Sequence, residues 1–145
     1  MRVLLDTNVL LSASIDARGF SARIVDAWHS DRFELVTSTH IVEEVRRVSQ
    51  YARVAKRLHG RKEDVDTLIT EMQRSALPLA QKPVPQVLPD PDDNEVLAAA
   101  VEGNADYLVT GNKLHFDELE GSYKGVKIVS PREFWEILRQ TEPGP

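Results

Sequence analysis

The chain has 145 residues, of which 41% are hydrophobic and 28% charged, with a net charge of -5 and no cysteine. This describes one globular domain with a real core and excludes a chain disordered throughout; the missing cysteines exclude disulfides, thiolate zinc sites and thiol nucleophiles, and fit a reducing cytoplasm. No apolar run approaches the ~20 residues of a membrane span, and the acid at Asp6 arrives too early for a signal-peptide core.

Val3, Leu4 and Leu5 form a short apolar run, a buried strand ending at Asp6. A helix starts near Val9. After the Arg18-Gly19 break a second helix runs from Phe20 to His29, with Ile24, Val25 and Trp28 at helical spacing. Residues 33–37 read as the second strand. Ser38 or Thr39 caps the next helix, whose apolar positions are Ile41, Val42, Val45 and Val48. Further helix, broken near Gly60, continues to about Ser75, and residues 77–79 suit a short edge strand. A proline-rich connection over residues 83–89 leads to Asp90-Pro91, an N-cap acid followed by proline at the first helical position. That helix stops at Gly103-Asn104. Residues 107–110 and 126–129 are strands, and Ser130-Pro131 caps a final helix through Leu138. One domain is expected over 1–140, with residues 141–145 a disordered tail.

Strands alternating with helices imply an α/β domain of three layers, a mostly parallel central sheet flanked by helices. In such folds the functional site lies beyond the carboxyl ends of the strands. Asp6 and Asn8 follow the first strand, the helix with Glu43 and Glu44 follows the second, and Asn112 follows the strand at 107–110. Asp90, Asp92 and Asp93 open the helix just before that strand.

Helical phase selects among these acids. With Ile41, Val45 and Val48 as the buried stripe, Glu43 points to water and Glu44 borders the stripe. Asp93 falls in the middle of the apolar face formed by Val96, Leu97, Ala100 and Val101, where a carboxylate is costly unless paired or metal-bound. Each acid alone has a plainer reading: Asp6 and Asp90 as helix caps, Asp93 as a capping partner of Asp90, Glu44 as a surface partner of Arg47. Together, Asp6, Glu44 and Asp93 converge on one end of one sheet. Crowded carboxylates without histidine or cysteine ligands suit Mg²⁺ or Mn²⁺ rather than zinc, and such an ion supports in-line displacement at a phosphodiester. Of the four histidines, His115 is the one expected near the site, packed beside Phe116; His29, His40 and His59 form no pair at metal-binding spacing.

The acidic net charge argues against a nucleic-acid partner, but its distribution does not. Arg46, Arg47, Arg53, Lys56, Arg57, Arg61 and Lys62 lie in one stretch free of acids. Arg53, Lys56 and Arg57 can share a helical face and hold RNA phosphates; a solvated face is the plainer alternative.

Four segments in order are similar to those of PIN domains: Val3-Leu4-Leu5-Asp6-Thr7-Asn8; Leu35-Val36-Thr37-Ser38 with Glu43-Glu44-Val45; Asp90-Pro91-Asp92-Asp93-Asn94-Glu95; and Tyr107-Leu108-Val109-Thr110-Gly111-Asn112-Lys113 with His115-Phe116. They resemble most the toxin-like PIN proteins of bacterial and archaeal toxin–antitoxin pairs, the VapC type. The resemblance implies an Mg²⁺- or Mn²⁺-dependent ribonuclease, with Asp6, Glu44 and Asp93 as acidic catalytic and metal-binding residues and Asn8 and Thr110 lining the site. It also implies a homodimer and an antitoxin partner. Asn112 departs from the pattern, standing where many PIN domains carry a fourth acid; His115 stands where another acid can occur, and Asp117 is the nearby candidate to compensate as a metal ligand. The departure keeps a second function open, a PIN-like module that holds RNA or protein without cutting. A haloacid-type phosphatase would need an acid at Asn8, and a receiver domain would need paired acids after its first strand; neither pattern is present.

Overall fold

The computed structural model describes residues 1–77 and 84–141. The elements, in chain order, are β1 (Arg2–Leu5), α1 (Thr7–Ile15), α2 (Phe20–His29), β2 (Glu34–Ser38), α3 (Thr39–Ser49), α4 (Ala52–Arg57), α5 (Lys62–Ser75), β3 (Ala76–Leu77), α6 (Pro91–Glu102), β4 (Tyr107–Val109), a 3₁₀ segment (Lys113–Leu119), β5 (Ser122–Tyr123), β6 (Val126–Val129) and α7 (Pro131–Gln140). The sheet order is β3-β2-β1-β4-β6-β5, parallel throughout except for β5 against β6. This is the three-layer α/β architecture expected from the alternation of elements.

Central strands of such a sheet are covered on both faces, so successive side chains are buried rather than alternate ones. Val3, Leu4 and Leu5 are all fully buried, as are Leu108 and Val109 of β4. On one side of the sheet's helical packing α1, α3 and α5 contact each other; α6 packs on β1 and β2. The cap signals in the sequence act as expected. Ser38 accepts a hydrogen bond from Ile41 N, Asp90 accepts from Asp92 N, and Ser130 and Glu133 form a reciprocal capping box at α7.

Strand β5 and the 3₁₀ segment were not expected from the sequence. The hairpin turns at Lys124-Gly125, both at positive φ (46° and 85°), with Tyr123 paired to Val126. Two consecutive left-handed residues make the two-residue turn whose twist matches paired strands. Strand β5 has only two residues, too few to show alternation. Of the edge strand expected at 77–79, Leu77 lies in β3; residues 78–83 and the tail from 142 onward fall outside the described residues.

The strand order reverses at β1. The chain proceeds outward from β1 to β2 and β3, then returns to place β4 on the other side of β1. The crevice beyond the carboxyl ends of β1 and β4 is therefore the topological switch point, where open α/β sheets bind their ligands.

Candidate active site

Asp6 is the first residue beyond β1, and its backbone N–H donates to Val109 O of β4 at 3.0 Å. It therefore sits in the switch-point crevice, and it is buried. Three donors surround its carboxylate. Thr7 N–H reaches Oδ1 at 2.8 Å; the Thr110 hydroxyl and the Asn8 amide reach Oδ2 at 2.9 and 3.3 Å. Asp6 is also the N-cap of α1, as its plainer reading held.

Thr110 and Asn8 are themselves held. The Thr110 hydroxyl accepts from Asn112 N–H at 3.0 Å, which commits its own proton to Asp6. Asn8 Oδ1 accepts from Gly111 N–H at 2.7 Å, which turns its amide nitrogen toward Asp6. The approach needs glycine: a Cβ on residue 111 would lie 2.9 Å from Asn8 Oδ1.

Glu44 projects from α3 toward the same crevice. Its side chain is 15% exposed, and its Oε2 is buried with no hydrogen-bond partner. The Thr7 hydroxyl beside it is likewise buried and makes no well-formed hydrogen bond. Glu43 instead lies in solvent, paired with Arg46 at 2.7 Å, so the helical phase separates the two glutamates as expected. Arg47 does not pair with Glu44; it approaches Asp92 Oδ2 at 3.9 Å. For the ribonuclease activity that the motif resemblance implies, Glu44→Gln should slow cleavage by about a hundred-fold, ~2.7 kcal/mol in transition-state stabilisation, while Glu43→Gln should leave the rate within about two-fold. Steady-state rates on one RNA substrate decide this, and comparable losses in both variants would mean that Glu44 has no special place in the site.

Asp93 is buried on the inner face of α6, and its Oδ2 lies 3.3 Å from His115 Nδ1. It is not a capping partner of Asp90, which spends its side chain on Asp92 N. His115 does not pack inward beside Phe116; Phe116 is buried and His115 is exposed, because the two lie on opposite faces of the 3₁₀ segment. Nor is His115 the lone histidine here. His40 Nε2 lies 3.1 Å from Asp92 Oδ1 and 3.7 Å from Glu44 Oε2. The signal was available: His40 precedes Glu44 by four residues, so the two share one edge of α3.

The three inner carboxyls all have raised pKa values. Burial is the largest cause for each. Thr110 and Thr7 oppose the rise at Asp6, and the charge of Asp93 adds to it. At Glu44 the Thr7 hydroxyl opposes, the charges of Asp6 and Asp92 add, and His40 opposes. At Asp93 the charge of Asp90 adds, His115 opposes, and Asp92 adds. Asp6 thus feels Asp93, and Glu44 feels Asp6.

Two groups of donor atoms lie within 4.8 Å of one another among the described residues: His40, Glu44 and Asp92, and Asp90, Asp93 and His115. Glu44 and Asp93 fall in different groups, and Asp6 falls in neither. Asp117 is exposed on the 3₁₀ segment, and the interaction seen there is its backbone carbonyl accepting from Glu120 N–H. Asn112 is exposed, with its backbone N–H bound to Thr110. Arg53, Lys56 and Arg57 are all exposed on α4 and form no ion pair with the described residues.

A mostly parallel sheet with acids gathered at its switch point defines a fold and the place of a ligand, not one activity. The family model described as PIN domain matches residues 2–114, and the chain belongs to that family. PIN domains are generally metal-dependent nucleases, and this chain keeps their clustered acids. An uncharacterized protein of Methanocaldococcus jannaschii is 27% identical over 142 residues, covering 94% of this chain and 90% of the relative. No solved structure matches the chain.

The donor set fits a divalent ion. Carboxylate oxygens dominate, and the buried Glu44 Oε2 lacks a hydrogen-bond partner, a costly arrangement that a cation relieves.

Proposed function

We propose that this protein is a divalent-metal-dependent endoribonuclease that hydrolyses RNA phosphodiester bonds. Asp6, Glu44 and Asp93 are its acidic catalytic residues and the ligands of Mg²⁺ or Mn²⁺. The observation that carries this reading is the burial of Asp6 and Asp93 at the switch point beside the unpartnered Oε2 of Glu44. A bound divalent ion supplies an activated water and stabilises charge on the phosphodiester. The chain's own residues set the acids for that work. Thr110 and Asn8 donate to one oxygen of Asp6 and fix its rotamer. Asp6 and Asp93 are buried at the carboxyl end of the sheet, the side from which a phosphate would approach.

Cleavage of a mixed RNA pool with Mg²⁺ or Mn²⁺, against an Asp6→Asn control, tests the proposal. Metal-dependent products from the native chain alone support it. Binding of RNA with no cleavage under either metal favours the alternative, a catalytically silent RNA- or protein-binding module. The exposed Asn112, which offers no carboxylate where many PIN domains carry one, is what favours that alternative.

The motif resemblance extends the proposal to a toxin of a toxin–antitoxin pair, acting in the cytoplasm as a homodimer restrained by an antitoxin protein. No helix among the described residues is long and apolar enough to cross a membrane.

An acidic pocket repels the phosphate backbone, so capture needs a basic surface. Arg53, Lys56 and Arg57 are proposed to provide it, being exposed and unpaired among the described residues. Replacing all three by Ala should weaken RNA binding and reduce the slope of log affinity against log salt by about 2, given ~0.7 per single-strand phosphate contact. Turnover of bound RNA should change little. Equal affinities and slopes in wild type and variant, measured across several salt concentrations, would assign this face to a protein partner or to solvent.

A further inference from the structure

We propose a second metal site, separate from the one built on Asp6, in which His40 Nε2, Glu44 Oε2 and Asp92 Oδ1 hold a divalent transition-metal ion of the Mn²⁺ or Zn²⁺ kind. This rests on the nuclease reading only in sharing Glu44 with it. The three donors come from two elements, α3 and the first turn of α6, and lie within 4.8 Å of one another. His40 is 3.1 Å from Asp92 Oδ1 and 3.7 Å from Glu44 Oε2. Donors bound at ~2.1 Å to one ion stand about 3.0–3.4 Å apart in octahedral or tetrahedral geometry. Two edges of the triangle are thus close to those of a coordination shell, and the third, from Glu44 to Asp92, lies within 4.8 Å.

A further observation points to a ligand. Glu44 Oε2 is buried without a hydrogen bond, although a donor-capable imidazole stands 3.7 Å away. The Thr7 hydroxyl beside the Glu44 carboxylate favours its charged form but leaves this oxygen unsatisfied. Unsatisfied buried oxygens are uncommon, and one facing an imidazole marks a missing partner. Arg47 does not fill the role, because it approaches the other Asp92 oxygen and only to 3.9 Å.

The donor chemistry selects the ion. Two carboxylates and one imidazole carry two negative charges and one nitrogen donor. Nitrogen ligation disfavours Mg²⁺, which prefers an all-oxygen shell, and favours Mn²⁺ and Zn²⁺. The site therefore distinguishes between ions that the Asp6 centre, built of oxygen donors, treats more alike.

Mn²⁺ is the probe. Its binding to the full chain is followed by the loss of the free-ion electron paramagnetic resonance signal, and its ligands by nitrogen modulation of the electron spin echo. Wild type should show an imidazole nitrogen on bound Mn²⁺ and one more high-affinity Mn²⁺ equivalent than His40→Ala. His40→Ala should lose the nitrogen modulation and weaken that equivalent at least about ten-fold. Asp92→Asn, at a half-exposed position outside the core, should weaken the same equivalent. Asp6→Asn and His115→Ala should both keep the modulation. Persistence of the nitrogen signal and of the full stoichiometry in His40→Ala overturns this site. If that variant is unchanged while Asp6→Asn loses Mn²⁺ and cleavage, the nuclease reading stands and the second site alone fails. If Asp6→Asn keeps both Mn²⁺ equivalents and cleavage while His40→Ala loses one, the second site stands and the Asp6 centre fails.

Discussion

Asp6→Asn is expected to abolish metal-dependent RNA cleavage while making the metal-free protein more stable at neutral pH. The fall in rate should reach about a thousand-fold or more, which corresponds to ~4 kcal/mol of lost transition-state stabilisation. The stability gain follows from the environment of the carboxyl. Burial outweighs the donors Thr110, Thr7 and Asn8, and the Asp93 charge adds to the cost, so the folded protein holds Asp6 less acidic than the unfolded chain does. A carboxyl whose folded pKa is raised binds more protons folded than unfolded, and stability declines as pH rises from the unfolded value of 3.8 through the folded one. The decline is complete above the folded pKa. Asparagine is spared it, because it never ionises. It does mispair one of the three donors, at a cost of about 1 kcal/mol that works against the charge relief. Thermal melts in chelator at several pH values give the test: the advantage of the variant should be largest near neutrality and shrink toward pH 4. A variant less stable than wild type at neutral pH would make Asp6 a structural cap first and a metal ligand second.

The largest loss of stability is expected from Asn94→Ala. Asn94 is 1% exposed and faces the connection that leads into α6. Its Oδ1 accepts from Leu88 N–H at 2.9 Å, and its Nδ2 donates to Leu88 O at 2.8 Å. Leu88 is buried too, so both backbone groups have exchanged water for this one side chain. Truncation leaves a buried donor and a buried acceptor unpaired, a cost of ~2–4 kcal/mol, and a fall in melting temperature of roughly 8–15 °C. The clamp also sets where α6 begins, and hence where Asp92 and Asp93 stand. Cleavage by the surviving folded protein should therefore fall alongside stability. A melting temperature within about 2 °C of wild type would show that water replaces both bonds at no cost.

Much of the fold is legible in local sequence because it depends on local physics. Asp90-Pro91, Ser130-Pro131 and Ser38 cap helices through groups within four residues of one another, and each helix starts where its cap stands. The apolar run at Val3-Leu4-Leu5 and the Val-Lys-Ile-Val segment at Val126–Val129 identify strands without their partners. Strand β5 escaped because it has two residues and exists only as the partner of β6.

The site divides along the same line. Helical phase separates Glu44 from Glu43 and turns Asp93 inward, since both depend only on 100° per residue and the position of the apolar stripe. Phase cannot say which helix faces which. That His40 of α3 meets Asp92 of α6, and that His115 pairs with Asp93, follows from packing across the switch point between residues 52 and 22 positions apart in the chain. The cage around Asp6 is tertiary too, because β1 and β4 become neighbours only once the sheet order reverses. Thr110 then reaches Asp6 across 104 residues, and Gly111 admits Asn8 across 103. The sequence by itself determined which acids lie at strand ends and which turn inward. The tertiary structure decided which side chains divide the space between them, because contacts that far apart in the chain arise from strand order and helix packing, which no local pattern encodes.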